Sequence, residues 1–178
     1  ISLIQFDRKM RDAKEWTIVP AQPTDAARLT EISFAAKRHW GYPEDWISRW
    51  STALTITPEY IKVHPVYVIR DRVSIIGFCA FDKRGHLYEI NHLWICPQYI
   101  GKGLGRRLLL EAIHQGLPPH ATLQVESDPN AEGFYRRHPP AEYQNYERGA
   151  SRSNLQQFVG NIVDASDGWL TVDVRNRF

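Results

Sequence analysis

Residues 97–110 read PQYIGKGLGRRLLL and set Gly101, Gly103 and Gly105 at alternate positions directly ahead of a leucine-rich run. In that run Leu104, Leu108 and Ala112 recur at helical spacing and Leu109 and Ile113 widen the stripe, while Arg106, Arg107, Glu111 and Gln115 fall elsewhere. Upstream, residues 86–96 are rich in β-branched and aromatic side chains and end at Pro97, which reads as a strand and its stop. A strand, a glycine turn and a helix make an anion site. The first four N–H groups of the helix have no intrahelical acceptor, and the macrodipole adds about half a positive charge there. The glycines remove the Cβ atoms that would keep phosphate off the backbone, and Lys102, Arg106 and Arg107 add formal charge.

Such an anion site must be local, because 22 basic against 20 acidic residues leave a net charge of only +2. Broad capture of nucleic acid or of an anionic membrane is therefore not expected. The 178 residues, 43% hydrophobic, suffice for one domain with a core. No apolar run reaches the roughly 18 residues of a membrane span, and the charged start lacks the apolar centre of a signal peptide. Cys79 and Cys96 show neither metal-site nor disulfide spacing and are expected as buried, reduced thiols, which points to a cytoplasmic protein.

Along the chain, residues 16–19 form a first strand. Residues 21–40 form a helix capped by Thr24 or Asp25, with Leu29, Ile32 and Ala36 on one face. Pro43 opens a short helix through Trp46 and Trp50, and Thr57 with Pro58 opens another. Residues 66–70, 74–81 and 86–96 are consecutive antiparallel strands. Residues 121–126 form a further strand, and 128–138 a helix capped by Asp128 with Pro129 at its first position. The order is β, α, α, β, β, β, α, β, α.

A Walker loop requires Ser or Thr after its Gly-Lys, and here glycine follows Lys102. A dinucleotide fingerprint requires a parallel βαβ unit, and this loop follows an antiparallel run. The surviving pattern resembles the coenzyme A loop of the GNAT superfamily of N-acetyltransferases: Gln or Arg, two residues, Gly, one residue, Gly or Ala. The helix phase sets Gly103 and Gly105 as the paired glycines, with Ile100 where the family prefers Gln or Arg; a second register uses Gln98, Gly101 and Gly103. The family's next landmark, D/N-x-x-A-x-x-F-Y, is met by Asp128, Ala131, Phe134 and Tyr135. The resemblance runs from about residue 16 to residue 138. It implies an α/β fold with a GNAT-like mixed, mostly antiparallel central sheet, splayed strands and flanking helices. Residues 1–15 are then an N-terminal extension and 16–178 a single acetyltransferase-like domain, of which 139–178 match the family poorly.

The resemblance also implies acetyl-CoA as acyl donor, held by Trp94, Ile95, Ile100, Gly101, Lys102, Gly103, Leu104, Gly105, Arg106, Asn130 and Tyr135. It places the tyrosine near the sulfur. A phenol with pKa near 10 stays protonated at neutral pH and is suited to donate to a departing thiolate, so Tyr135 is the candidate general acid, with Phe134 as core. An amine acceptor is almost wholly protonated at neutral pH and needs a base or a water relay. The strand offers Glu89, Asn91 and His92; plain alternation sets Glu89 and Asn91 on one face and His92 on the other unless a bulge intervenes. Glu89 lies eleven residues before Ile100, where histone-acetylating members carry their base, and His92 competes through its more suitable unperturbed pKa.

Residues 39–50, HWGYPEDWISRW, are expected to roof the acceptor cleft. Trp40, Tyr42, Trp46 and Trp50 would stack on a flat or cationic acceptor beside Glu44 or Asp45, although core packing explains the same aromatics. The expected partner is a small-molecule amine. After residue 138 only Leu170, Val172 and Val174 recover an alternating pattern, so the tail completes the sheet, mediates a homodimer or stays disordered. The leading function is direct N-acetyl transfer from acetyl-CoA to a primary amine. The rival is a non-catalytic acetyl-CoA-binding module.

Overall fold

The computed structural model describes residues 16–85, 87–118, 121–127, 129–137, 160–164 and 170–174. β1 (Thr17–Pro20) leads into α1 (Ala26–His39). Asp25 is the N-cap residue of α1, one of the two expected, but it makes no side-chain cap bond into that helix. Gln22 closes a capping box with Asp25, whose Oδ2 accepts from the Gln22 amide at 2.8 Å across the 3₁₀ turn Pro23–Asp25. The aromatic segment breaks at Trp50 into α2 (Glu44–Arg49) and α3 (Ser51–Leu54). α4 (Pro58–Val63) begins as the sequence predicts, with Thr57 Oγ1 accepting from the Tyr60 amide at 3.0 Å.

β2 (Val66–Arg70), β3 (Ile75–Arg84) and β4 (Leu87–Ile95) form the expected antiparallel run. α5 (Leu104–Gly116) then crosses to β5 (Thr122–Ser127), which lies parallel to β4. The 3₁₀ turn Pro129–Ala131 leads into α6 (Glu132–Arg137); Asp128, the expected cap, lies outside the described residues. β6 (Gly160–Asp164) and β7 (Leu170–Val174) complete a seven-stranded sheet of order β1-β2-β3-β4-β5-β7-β6. β7 is the strand expected from its alternation. β6 was not anticipated.

α1 and α4 cover one face of the sheet: Lys37 of α1 reaches Trp94, and Tyr60 of α4 packs edge-on against His92. α5 covers the other, where its Gly116 meets the ring of Tyr67. Phe78, Phe81, Leu108 and Leu109 are fully buried between these layers. Among the described residues no helix is long and apolar enough to cross a membrane.

Gly77 on β3 sits under the end of β4. A Cβ there would lie 2.5 Å from Ile95 Cδ1 and 2.7 Å from the Trp94 carbonyl oxygen, and the backbone contact has no rotamer through which to relax. Gly77→Ala is therefore expected to cost about 1–3 kcal/mol, read as a lower urea midpoint. An unchanged midpoint would show that the end of β4 is not held in this register.

Candidate functional site

β4 and β5 pair in parallel only from Leu87↔Thr122 to Ile90↔Val125. Beyond that point β4 remains bonded to β3 and β5 to β7, so the two part and leave a wedge between residues 91–95 and the end of β5. A cavity of about 610 Å³ lies at this wedge. Its β4 wall is Leu93, Trp94 and Ile95, its opposite wall Asn130, Phe134 and Tyr135, and its mouth Tyr99, Ile100, Gly101 and Gly103 with Arg106.

The mouth is built by backbone conformation. Gly101 and Gly103 have φ of +80° and +75°, left-handed values that strain other residues, and no atom lies within 4 Å of where their Cβ atoms would be. Gly103 caps α5 without a side-chain bond, and the first bond into the helix runs from the Arg107 amide to the Gly103 oxygen at 3.1 Å. The amides before it project from the helix end by its geometry. Gly105 is different: its missing Cβ would touch Phe134 at 3.5 Å, an ordinary contact, so this position serves helix-to-helix packing. An open, backbone-lined concavity at a helix N-terminus suits a phosphate group, and the gap between the strands continues from it.

Most of the sequence-predicted coenzyme residues meet here. Trp94, Ile95, Ile100, Gly101, Gly103, Gly105, Arg106, Asn130 and Tyr135 line the cavity. Lys102 instead lies over the Tyr99 ring at 5.1 Å, Leu104 is buried in the core, and Arg107 donates to the Trp16 carbonyl at 2.9 Å. Tyr99 and Phe134 were not anticipated in the wall. Their signal was position alone, next to the glycine loop and next to Tyr135.

The expected alternation on β4 is overturned by a bulge. Ala80 pairs with His92 but Phe81 pairs with Ile90, so Asn91 is an extra residue on β4. The phase shift brings Glu89, opposite Asp82, onto the face of His92 and Trp94. Adjacent polar residues Asn91 and His92 within a strand were the sequence's only trace of it. Glu89 sits one residue before the wedge opens, largely buried, with Arg84 Nε 2.8 Å from its Oε2. Asp82 gathers Tyr60 Oη, Asn91 Nδ2 and His64 Nε2 at 3.1, 3.1 and 3.3 Å and so ties α4 to the bulge.

His92 is buried and its pKa is lowered to about 4, chiefly by burial, with Asp82 opposing and His64 adding to the fall. Its Nδ1 accepts from Trp94 Nε1 at 3.0 Å. Between about pH 4 and 6.5 the unfolded chain binds a proton here that the native state refuses, so stability is present above that window and falls as pH drops through it. A loss on the order of 3 kcal/mol is expected across it, and less in His92→Gln, by urea unfolding at each pH. Parallel curves for the two proteins would contradict this burial.

The aromatic roof is engaged within the chain. Lys37 Nζ, buried, lies 4.8 Å from the Tyr42 ring, 4.5 Å from Trp50 and 5.7 Å from Trp94. Tyr42 Oη also accepts from Asn130 Nδ2 at 3.0 Å. Glu44 pairs with Arg38 and Asp45 with Arg49, so the two expected ammonium partners are tied to surface arginines. Trp40 lines the cavity; Tyr42 and Trp46 do not, and their rings stack on each other. Cys79 and Cys96 are buried, and burial pushes both thiols up in pKa, against the pull of Arg28 in the case of Cys96.

Residues 62–138 match the acetyltransferase (GNAT) domain family. The fold is similar to that of the PaiA N-acetyltransferase of Thermoplasma acidophilum in complex with coenzyme A, with a TM-score of 0.66 and 16% identity over 89% of this chain and 97% of that one. It is similar also to a GNAT family acetyltransferase of Brucella melitensis in complex with acetyl-CoA, with a TM-score of 0.51 and 22% identity over 71% and 82%. Two curated relatives, the tRNA hydroxylation protein P of Haemophilus influenzae and of Escherichia coli, are 51% and 52% identical over 49 and 48 residues. That match spans 26% of this chain and only 11% of either relative. The parted strands and the glycine-bordered helix end belong to the stretch that matches the acetyltransferase (GNAT) domain family, residues 62–138, and the chain has the fold of the GNAT N-acetyltransferases to which it is similar.

Proposed function

We propose that the chain transfers acetyl from acetyl-CoA directly to a primary amine of a small molecule. The observation that carries this reading is the meeting, in one cavity, of the glycine-bordered N-terminus of α5, the parted β4 and β5, and Tyr135. Bound acetyl-CoA supplies the activated acetyl thioester. Backbone amides from Gly101 to Arg106 hold its pyrophosphate, and the edges of Trp94 and Ile95 hold the arm in the wedge. Tyr135 keeps a phenolic proton in the cavity for the departing thiolate. Glu89, at the closed end of the wedge, takes the amine proton through water. His92 is a poor base because its Nδ1 lone pair is engaged by Trp94.

Direct transfer agrees with the state of the cysteines, both buried and held as thiols, since a covalent route needs an activated nucleophile. Initial-rate kinetics of coenzyme A release over a panel of small amines tests the scheme. Intersecting double-reciprocal lines are expected; parallel lines with an isolable acetyl-protein would overturn direct transfer. Saturable acetyl-CoA binding with no release over the whole panel would instead favour a binding module.

A further inference from the structure

Trp94 serves the cavity with one edge and something else with the other. Its ring forms part of the β4 wall, while its Nε1 points away from the glycine loop and donates to Nδ1 of His92 two residues earlier on the same face. The ring is itself held by Lys37 of α1, whose ammonium lies 5.7 Å from its centroid and within the aromatic group of Tyr42 and Trp50. A cation over an indole face draws electron density from the ring and strengthens the N–H as a donor. A neutral imidazole has one N–H and one lone pair, so accepting at Nδ1 places the proton on Nε2. Nε2 bonds to none of the described residues. Because no buried side-chain nitrogen or oxygen among them lacks a partner, this nitrogen opens onto solvent-reachable space.

We infer that Trp94 is a positioning residue that fixes His92 as the neutral Nε2–H form, so that His92 presents a hydrogen-bond donor, and not a base, beside the parting of β4 and β5. The oxygen it would hold is that of the relay water between the acceptor amine and Glu89, which the bulge has brought to the same face. This role in turnover rests on the acetyl-transfer reading; the state of the ring does not. The ionisable groups facing His92 are Asp82 of β3, Tyr60 of α4, His64 directly after α4, and Glu89 on its own strand, with Lys37 of α1 behind Trp94. Tyr60 stays a neutral phenol, pushed up in pKa mainly by burial, and its ring edge packs against the imidazole with the centroids 5.6 Å apart.

Long-range proton–nitrogen NMR of the histidine rings in the ¹⁵N-labelled full chain tests this between about pH 5 and 8. The signal missing in His92→Gln assigns the residue. In the parent, His92 is expected to keep a protonated Nε2 and a hydrogen-bonded, unprotonated Nδ1 throughout. In Trp94→Phe, which keeps an aromatic ring and loses the donor, the Nδ1 resonance is expected to move and the titration midpoint to rise. A parent His92 that titrates near the ordinary value of about 6.5, or that carries its proton on Nδ1, overturns the inference whether or not Trp94→Phe folds.

Where acetyl transfer is observed, His92→Leu is expected to lower kcat about tenfold, the worth of one hydrogen bond, and His92→Gln, whose amide still donates, to lower it less. Equal and near-complete loss in both variants would make His92 a base and overturn the inference. Absence of any acetyl transfer would count against the proposed function alone and leave the spectra to decide the state of the ring.

Discussion

Tyr135→Phe is expected to lower kcat about a hundredfold while leaving the dissociation constant of acetyl-CoA within a few-fold of the parent. The side chain is buried in the wall of the wedge, where Phe134 packs edge-on against it and toward Gly105 of α5. A phenylalanine at 135 preserves that packing and removes one oxygen. General acid catalysis contributes about 10²–10⁴-fold, and the lower end applies because a thiolate is already a fair leaving group. A hydroxyl that only satisfies a structural bond predicts another pattern, in which kcat is kept and stability falls by about 1 kcal/mol. Rapid-quench measurement of the acetyl-transfer step, beside urea unfolding of both proteins, separates the two.

Glu89→Gln should be the larger loss, about 10²–10³-fold in kcat/KM near neutral pH, and the deficit should shrink as pH rises and more of the amine is supplied already deprotonated. The position supports this weight. Glu89 pairs across β3 with Asp82 and across β5 with Gln124, one residue before the strands separate, and the bulge at Asn91 turns it to the face of His92. Glutamine keeps the size of the side chain and a hydrogen-bonding partner for Arg84. A variant that loses activity equally at every pH would point to misplacement of the strand, and a fully active one would move the base elsewhere.

Legibility in the sequence followed how local each cause is. Gly101 and Gly103, the stop at Pro97 and the leucine stripe of α5 act within a few residues, and the turn they build is the one expected. The Thr57 cap was legible for the same reason. The phase of β4 was not, because a bulge is fixed by the register of the neighbouring strand, and only that register joins Glu89 to His92. Nor was the use of the aromatic roof. Tyr42 and Trp50 read as a receptor for a foreign cation, but the geometry of α1 delivers the chain's own Lys37 into them. Gly105 looked like a third phosphate-facing glycine; its close neighbour, Phe134, lies nearly thirty residues away in sequence. β6 is a short edge strand in a polar tail, with too little alternation to be legible in the sequence.

We propose the cavity between β4 and β5 as an acetyl-CoA site built on left-handed glycines. It is tested most directly by thermal unfolding of the parent and of Gly103→Asp with rising acetyl-CoA, with circular dichroism confirming that the variant folds. Aspartate at 103 brings a side chain into a position with φ of +75° and a negative charge where phosphate would lie, and it spares the Gly105 contact with Phe134. At a hundred times its dissociation constant the ligand should stabilise the parent by about 2.7 kcal/mol, a rise in Tm of several degrees, and should leave the variant unmoved. A folded parent whose Tm does not respond, or a variant that responds as the parent does, would rule out an acetyl-CoA site at this loop.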